Sequence, residues 1–311
     1  MWAPLRQERE CVSKPSLNRF RDGRLLVVAF EGWNDAGEAA SQAVRTIAAA
    51  CDLTPRYSVD PELYYDYQFT RPTIGFDDDG KRKLSWPGAE IFGPSARSAS
   101  DALRAMGSAA AGLHVLIGAE PARTWQGFAA EIVDAALALS IDGIVFFGAM
   151  LVDAPHTRPL AVHASSDQPE MQRELELEPS SYEGPVGIVS VLAEAAHEVG
   201  IPSVSLWASV PHYVHNPPSP KAALALVRRF EDLTGIAIPL DELELEAQAW
   251  EANVNALAAD DEEMASYIAQ LERARDAIET LEASAESIAD EFERYLRRSD
   301  DTGDEPQHPR G

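Results

Sequence analysis

Nine residues combine reactive side chains or contact-forming rings with positions where α/β proteins bind small molecules: Glu31, Trp33, Asn34, Asp35, Glu120, His156, Arg158, His212 and Tyr213. The first four lie in Glu31-Gly-Trp-Asn-Asp-Ala-Gly37, between an apolar run and an alanine-rich stretch. Gly32 and Gly37 have the spacing of a phosphate loop, which needs G-x-x-x-x-G-K-[ST] between a strand and a helix. Here Glu38 stands at the lysine position and Ala39 at the hydroxyl position. Carboxylates at Asp35 and Glu38 would repel a triphosphate. A capping box fits the same residues: Asp35 as N-cap and Glu38 as the third helical residue would satisfy the amides that an anion otherwise takes. Trp33 and Asn34 are then left pointing outward as contact candidates.

The other candidates also follow apolar runs. His156 and Arg158 sit in Pro155-His-Thr-Arg-Pro159, after Gly148-Ala-Met-Leu-Val-Asp153. Histidine offers acid–base chemistry and arginine a grip on carboxylate or phosphate. The alternative is a proline-stiffened connection whose polar groups bond the backbone. His212 and Tyr213 lie in Ser209-Val-Pro-His-Tyr-Val-His215. Histidines three apart could suit a metal, but neither HExxH nor a carboxylate pair completes a site. The following Asn216-Pro-Pro-Ser-Pro220 reads as a rigid loop with Ser219 as N-cap and Pro220 as the first helical residue. Glu120-Pro121 reads as the start of another helix. Together Glu31, Asp35, Glu120 and Asp153 would make an acidic group able to hold Mg²⁺ if the fold gathered them. The sequence has no G-x-S-x-G, S-x-x-K or dinucleotide G-x-G-x-x-G motif. We therefore expect no catalytic residue, metal or cofactor.

These residues need a scaffold of strands and helices. Expected strands are Leu25–Phe30, Arg56–Val59, Leu113–Gly118, Gly143–Gly148, Leu160–His163 and Ser203–Ser209. Several are continuous apolar runs, as in parallel strands covered on both faces. Expected helices are Ala36–Ala50, Ala99–Ala111, Pro121–Ser140, Tyr182–Val199 and Pro220–Thr234. The alternation gives a doubly wound, three-layer α/β/α sandwich over 1–239, with ligand sites at the strands' carboxyl ends. Arg71–Trp86, turning at Asp77-Asp-Asp-Gly80, reads as an antiparallel flap.

After Pro239 the pattern becomes helical and acidic. A helix over Asp241–Leu257 presents Leu243, Trp250, Val254 and Leu257. A second helix carries Met264, Tyr267, Leu271, Ala274, Ile278, Leu281, Ala285, Ile288, Phe292 and Tyr295, an a/d seam. Glu272, Asp276, Glu279, Glu282 and Glu286 lie on its polar faces. Residues 240–298 thus form a helical hairpin whose seam needs a partner in the protomer, in another subunit or in another protein. Residues 299–311 read as a disordered tail.

Five segments in this order resemble the proteasome assembly chaperone type 2 family in its actinobacterial form. They are Val27-Val-Ala-Phe-Glu-Gly-Trp-Asn-Asp-Ala-Gly37; Leu116-Ile-Gly-Ala-Glu-Pro121 with Trp125; Gly148–Pro159; Tyr182-Glu-Gly-Pro-Val-Gly187; and Val210–Lys221. The resemblance spans about residues 20 to 295. It implies a sandwich similar to nucleoside-phosphorylase folds and a role in proteasome assembly. Chaperones that dock into proteasome rings often end in a hydrophobic residue, tyrosine and one further residue. This sequence ends His308-Pro-Arg-Gly311, so the resemblance carries no such docking element to it.

The formal net charge is −25 over 311 residues. Such a chain repels nucleic acid and anionic membranes. Only Cys11 and Cys51 are present, without a CxxC pair, which suits a reducing compartment. The first ten residues contain no apolar signal segment and no run is long enough to span a membrane. The expectation is a cytoplasmic protein-binding protein, proteasome-assembly-chaperone-like, acting on a protein partner as a homo-oligomer, for which the fold analogy admits a trimer. The rival is a nucleoside phosphorylase- or hydrolase-like enzyme using His156, Arg158, His212 and Glu120 in a strand-end crevice.

Overall fold

Strand β1, Leu25–Glu31, is buried at every position but its last. Alternation sends Leu25, Val27 and Ala29 into one apolar cluster and Leu26, Val28 and Phe30 into another. A strand's side chains point to opposite faces in turn, so a strand without a polar face needs cover on both sides. The computed structural model, which describes residues 16–77, 79–94, 108–177, 182–214, 218–278 and 280, supplies that cover.

The sheet has seven strands. In spatial order they are β2 (Thr54–Ser58), β5 (Ala89–Gly93), β6 (Leu113–Ala119), β1, β7 (Gly143–Val152), β9 (Ser203–Pro211) and β8 (Val162–Ser165). The central four, β6-β1-β7-β9, are parallel, and β2, β5 and β8 add antiparallel edges. The helices in chain order are α1 (Ser16–Asp22), α2 (Ala39–Ala50), α3 (Pro61–Tyr64), α4 (Trp125–Ala138), α5 (Pro169–Glu174), α6 (Ile188–Glu198), α7 (Pro220–Thr234), α8 (Asp241–Ala259) and α9 (262–278). Helices α2, α7 and α8 cover one face through Ala40, Ala43, Val44, Phe230 and Leu243. Helices α4 and α6 cover the other through Phe128, Ile132, Ile188 and Leu192. The chain thus leaves neighbouring β1 and β6 towards opposite faces. That reversal is where doubly wound sheets open a crevice.

Several boundaries differ from the sequence reading. The expected strand Arg56–Val59 lies at Thr54–Ser58 and Leu160–His163 at Val162–Ser165, while β7 runs on to Val152. Strand β5 was not anticipated. The helix expected over Pro121–Ser140 starts at Trp125, after Thr124 with φ 57°. That expected over Tyr182–Val199 starts at Ile188, because Gly184, Pro185 and Gly187 precede it. The helix expected over Ala99–Ala111 lies mostly outside the described residues, and Ser108–Gly112 is a short 3-10 turn. The flap is present as β3 (Thr73–Phe76) and β4 (Arg82–Ser85), an exposed two-stranded hairpin.

Helices α8 and α9 fold back on the sandwich of their own chain. Leu243 and Ala247 join the main core, while Gln42 and Arg228 bond Glu246 and Glu244 at 2.9 and 2.8 Å. The exposed faces differ from those expected. Leu257 is exposed, as are seam residues Ala274 and Ile278, whereas Ile268, outside the a/d series, is buried. Met264, Tyr267 and Leu271 are half-buried. Leu281–Tyr295 and the tail lie outside the described residues. Among the described residues no helix is long and apolar enough to cross a membrane.

Candidate functional site

The turn after β1 is stitched to β7. Ala149 N–H donates to the Asn34 carbonyl at 2.8 Å, and Asp35 N–H to the Gly32 carbonyl at 3.1 Å. Gly37 has φ +62°, and a β-carbon there would lie 2.7 Å from Ser219 Cβ, so α7 approaches only because the position is glycine. Asp35 is 6% exposed. Its Oδ1 accepts the amides of Ala40 (2.7 Å) and Ser41 (3.2 Å) in the first turn of α2. A helix N-terminus attracts anions through such unpaired amides, and here a carboxylate of the chain itself occupies the position. Burial pushes the Asp35 carboxyl above the usual range, against the hydrogen bonds from Ser41 and Ala40 and the charge of Arg45.

The reciprocal half of the expected capping box is absent. Glu38 is exposed, has the left-handed φ of 52° and makes no side-chain cap. A left-handed turn at that residue separates the 3-10 turn Ala36–Glu38 from α2, so its side chain cannot reach back to the Asp35 amide. Asn34 also departs from expectation. It is 4% exposed and lies so close to Gly187 that a β-carbon there would meet its Nδ2 at 2.2 Å. Trp33 does face solvent, at 75% exposure.

Glu120 serves a different helix from the one its sequence position suggests. Its Oε1 accepts the Ile188 amide at 2.9 Å at the start of α6, where N-cap Gly187 has no side chain to offer. Its own amide donates to the Glu31 carbonyl at 3.3 Å. Two helix N-termini at the carboxyl edge, those of α2 and α6, are therefore capped by the chain's own carboxylates. Glu31 is exposed and paired with Arg45.

His156 is fully buried. Its amide donates to Tyr213 Oη at 2.7 Å, its Nδ1 lies 2.8 Å from the same oxygen, and its Nε2 lies 3.1 Å from Asn255 Oδ1. The amide must be the donor to Oη, which leaves the phenol hydrogen for Nδ1. The proton is then on Nε2 and is donated to Asn255. Burial holds the imidazole below its ordinary pKa and pushes the Tyr213 phenol up to about 12. Both are neutral, and every polar atom of the ring is engaged. Trp250 of α8 completes the enclosure edge-on, with centroids 6.3 Å apart.

The neighbours are equally committed. Lys221 Nζ donates to the His156 carbonyl (2.5 Å) and to Glu251 (2.6 Å). Arg158 forks onto Asp276 with two bonds of 2.9 Å and reaches Glu272 at 3.2 Å. His212 pairs with Asp153 at 3.0 Å, and Tyr267 donates to the same carboxylate at 3.3 Å. These contacts clamp α8 and α9 over the strand-end loops. His156, Arg158, His212 and Tyr213 thus come together as a fastening rather than as a polar pocket. Glu31 and Asp35 share a separate cavity, and Glu120 and Asp153 are engaged elsewhere. Among the described residues no group of three or more His, Cys, Asp or Glu could hold a metal ion.

Sequence reasoning missed Lys221, Glu251, Asn255, Glu272 and Asp276 as partners. Asn255 gave no usable signal, since it lies at an exposed position of α8 and only the fold brings its Oδ1 to His156. Glu272 and Asp276 had the i, i+4 spacing that suits one arginine fork.

Apolar surface is left open around the same strand ends. Trp33, Met150, Leu151, Tyr182 and Val186 are exposed. Trp33, Met150 and Val186 are the chain neighbours of Asn34, Ala149 and Gly187, and Asn34 meets both Ala149 and Gly187. The β3–β4 hairpin carries a second apolar face, with Ile74 opposite Leu84 and with Phe76 and Trp86 exposed.

A profile of the PAC2 family matches residues 29–258. A PAC2 family protein from Streptomyces avermitilis is similar at 41% identity and a TM-score of 0.68, over 78% of this chain and 98% of that one. The proteasome-assembly chaperone homologue of Mycobacterium tuberculosis is 40% identical with a TM-score of 0.67, over 78% and 99%. PbaA of Pyrococcus furiosus, an archaeal homologue of proteasome-assembly chaperone, is 17% identical with a TM-score of 0.53, over 80% and 94%, and shares the fold. No curated protein matches the chain.

Proposed function

The chain belongs to the PAC2 family, and from that premise we propose that it is a cytoplasmic protein-binding, chaperone-like protein whose partner is proteasome-related. The observation that carries this reading is the closed strand-end face. The polar residues that an enzyme would use there are spent on fastening α8 and α9, and two helix N-termini are capped internally. The apolar surface beside them, from Trp33 to Val186, is of the kind that marks protein contacts. The homologue from Mycobacterium tuberculosis, a proteasome-assembly chaperone homologue by name, supports the same direction. A self-assembled form, with three copies as the arrangement suggested by fold analogy, fits the unpaired apolar face of the β3–β4 hairpin.

The test is core-particle assembly from purified proteasome α- and β-subunits of the same organism, followed by native electrophoresis with and without the chain. Faster or more complete assembly is expected, and removal of residues 241–311 should abolish it. An unchanged course with no complex containing the chain would defeat the proposal.

A further inference from the structure

The two edges of the sheet are finished differently. Edge strand β2 carries Pro55 and a register shift between Pro55 and Tyr57, devices that blunt an edge against pairing. Edge strand β8, Val162-His-Ala-Ser165, has no proline, no lysine and no bulge. Its register with β9 sets which backbone groups are used. Ser209 N–H donates to the Ala161 carbonyl at 2.9 Å, so His163 and Ser165, at the same phase, turn their N–H and C=O groups to β9. Val162 and Ala164 turn theirs away from the sheet, and among the described residues no other strand pairs there. Between β8 and the outer side of α7 open two clefts of about 320 and 260 Å³. Val162 lines the first and Ala164 the second, and Arg229 and Asp232 of α7 border both. That pair therefore stands level with His163, midway between the clefts. Among the described residues neither makes an ion pair, whereas Lys221 and Arg228 on the same helix are held by Glu251 and Glu244.

We propose that β8 pairs with β8 of a second copy about a two-fold axis through His163, joining the two sheets edge to edge. The open backbone groups fix the register. Val162 of each copy exchanges hydrogen bonds with Ala164 of the other, and exposed His163 faces its own counterpart in a non-hydrogen-bonded pair. A two-fold contact must be self-complementary. Arg229 and Asp232 meet that condition. They lie about one turn apart on α7, level with the axis, so symmetry sets Arg229 against the second copy's Asp232 and Asp232 against the second copy's Arg229. The distance suits them. Helix α7 packs over β9, one strand in from the edge, so the two copies of the helix stand about three strand spacings apart, roughly 14 Å. That exceeds the about 8–10 Å of apolar helix packing and is within reach of an arginine–carboxylate bridge. The charge balance agrees. The clefts set Arg21, Lys221, Arg228 and Arg229 against Glu174, Glu176 and Asp232. In a chain of net charge −25, this edge adds none of the repulsion that an acidic patch would bring to a second copy. The contact goes beyond the strand-end protein surface proposed above and uses none of its residues.

The test uses the full chain. His163→Cys places two thiols across the axis, where a non-hydrogen-bonded pair brings Cα atoms to about 4.5 Å, within disulfide range. Mild oxidation should turn this variant into a covalent dimer on non-reducing electrophoresis. Ser165→Cys, and the native chain with its Cys11 and Cys51, should stay mostly uncrosslinked. Sedimentation equilibrium tests the charges. Arg229→Asp and Asp232→Arg should each weaken self-association about tenfold or more by setting like charges across the axis. An equimolar mixture of these two variants, and the double variant carrying both changes, should associate as the native chain does, because each restores opposite charges. A variant that merely misfolds cannot show that rescue. Trp33→Ala, on the strand-end surface, should associate as the native chain does. A native chain that stays monomeric at its highest soluble concentration, crosslinking no faster at 163 than at 165, or single charge variants that associate as tightly as the native chain would each overturn the proposal. So would a dimer lost in Trp33→Ala.

Discussion

Tyr213→Phe tests the clamp at its most economical point. The substitution keeps the ring that meets His156 and Tyr267 edge-on, at 5.8 and 6.0 Å, and removes one oxygen. That oxygen accepts the His156 amide and donates to His156 Nδ1. Without it a buried amide has no acceptor and a buried ring nitrogen has no donor. Turning the imidazole to its other tautomer does not help, because Nδ1–H would then lack an acceptor. Each unsatisfied buried group costs about 1–3 kcal/mol, so a loss of about 2–4 kcal/mol is expected. In a domain of this size that corresponds to a fall in Tm of roughly 5–15 °C. Urea unfolding followed by circular dichroism measures the loss. A double-mutant cycle with Asn255→Ala should show coupling, because both partners hold the same imidazole. A loss below about 0.5 kcal/mol, the scale of ordinary surface changes, would refute the account of a satisfied hydrogen-bond lock.

Four further outcomes follow from the same geometry. Glu38→Gly should be neutral or stabilising by up to about 1 kcal/mol, because it relieves a left-handed backbone at a residue that caps nothing; a clear loss in thermal melts would restore the capping box. Asp35 has a raised folded-state pKa, so folding favours its protonated form and the associated stability is lost as pH rises through that pKa. Asp35→Asn should therefore gain on the native chain from about pH 4 upward, and a widening deficit would contradict the sign. His156 has a lowered folded-state pKa, so its contribution is full above about pH 6.5 and fades as pH falls towards the folded value; Tm measured from pH 8 to pH 5 should drop less steeply in His156→Gln than in the native chain. Arg158→Ala removes the fork to Asp276 and the contact with Glu272, and limited proteolysis should then cut faster between α8 and α9, with unchanged digestion arguing that the fork does not hold α9.

Much of the scaffold was legible because its signals are local. Continuous apolar runs gave the central strands, and Ser219-Pro220 marked the start of α7 at the observed residue. Strand β5 escaped because it is five residues long, carries a glycine and lies just after Pro87-Gly88, so it shows neither a long apolar run nor a clean boundary. At the site, local signals placed the residues but misjudged their roles. Asp35 does bond helix amides, but as the acceptor of Ala40 and Ser41 in a helix that starts at Ala39, not as the N-cap of one starting at Ala36. Glu120 caps a helix 68 positions away, and no local pattern encodes that pairing. His156 looked like an acid or base because the groups that bury it, Trp250 and Asn255, lie in a helix about a hundred residues later. The heptad series put several apolar residues at plausible positions, yet among the described residues of α9 it is Ile268, outside the series, that is buried. The face of α9 that turns inward is decided by polar contacts from Arg158 and Asp153 as well as by its apolar stripe.

The central claim is that this face of the sheet is closed to small anions and open to protein. Sedimentation velocity of the chain mixed with purified proteasome α-subunits of its own organism tests it most directly. The account predicts a faster boundary containing both proteins, unchanged by added ribose 1-phosphate and weakened by Trp33→Ala. Independent sedimentation of the two, at concentrations where each is folded, would contradict it.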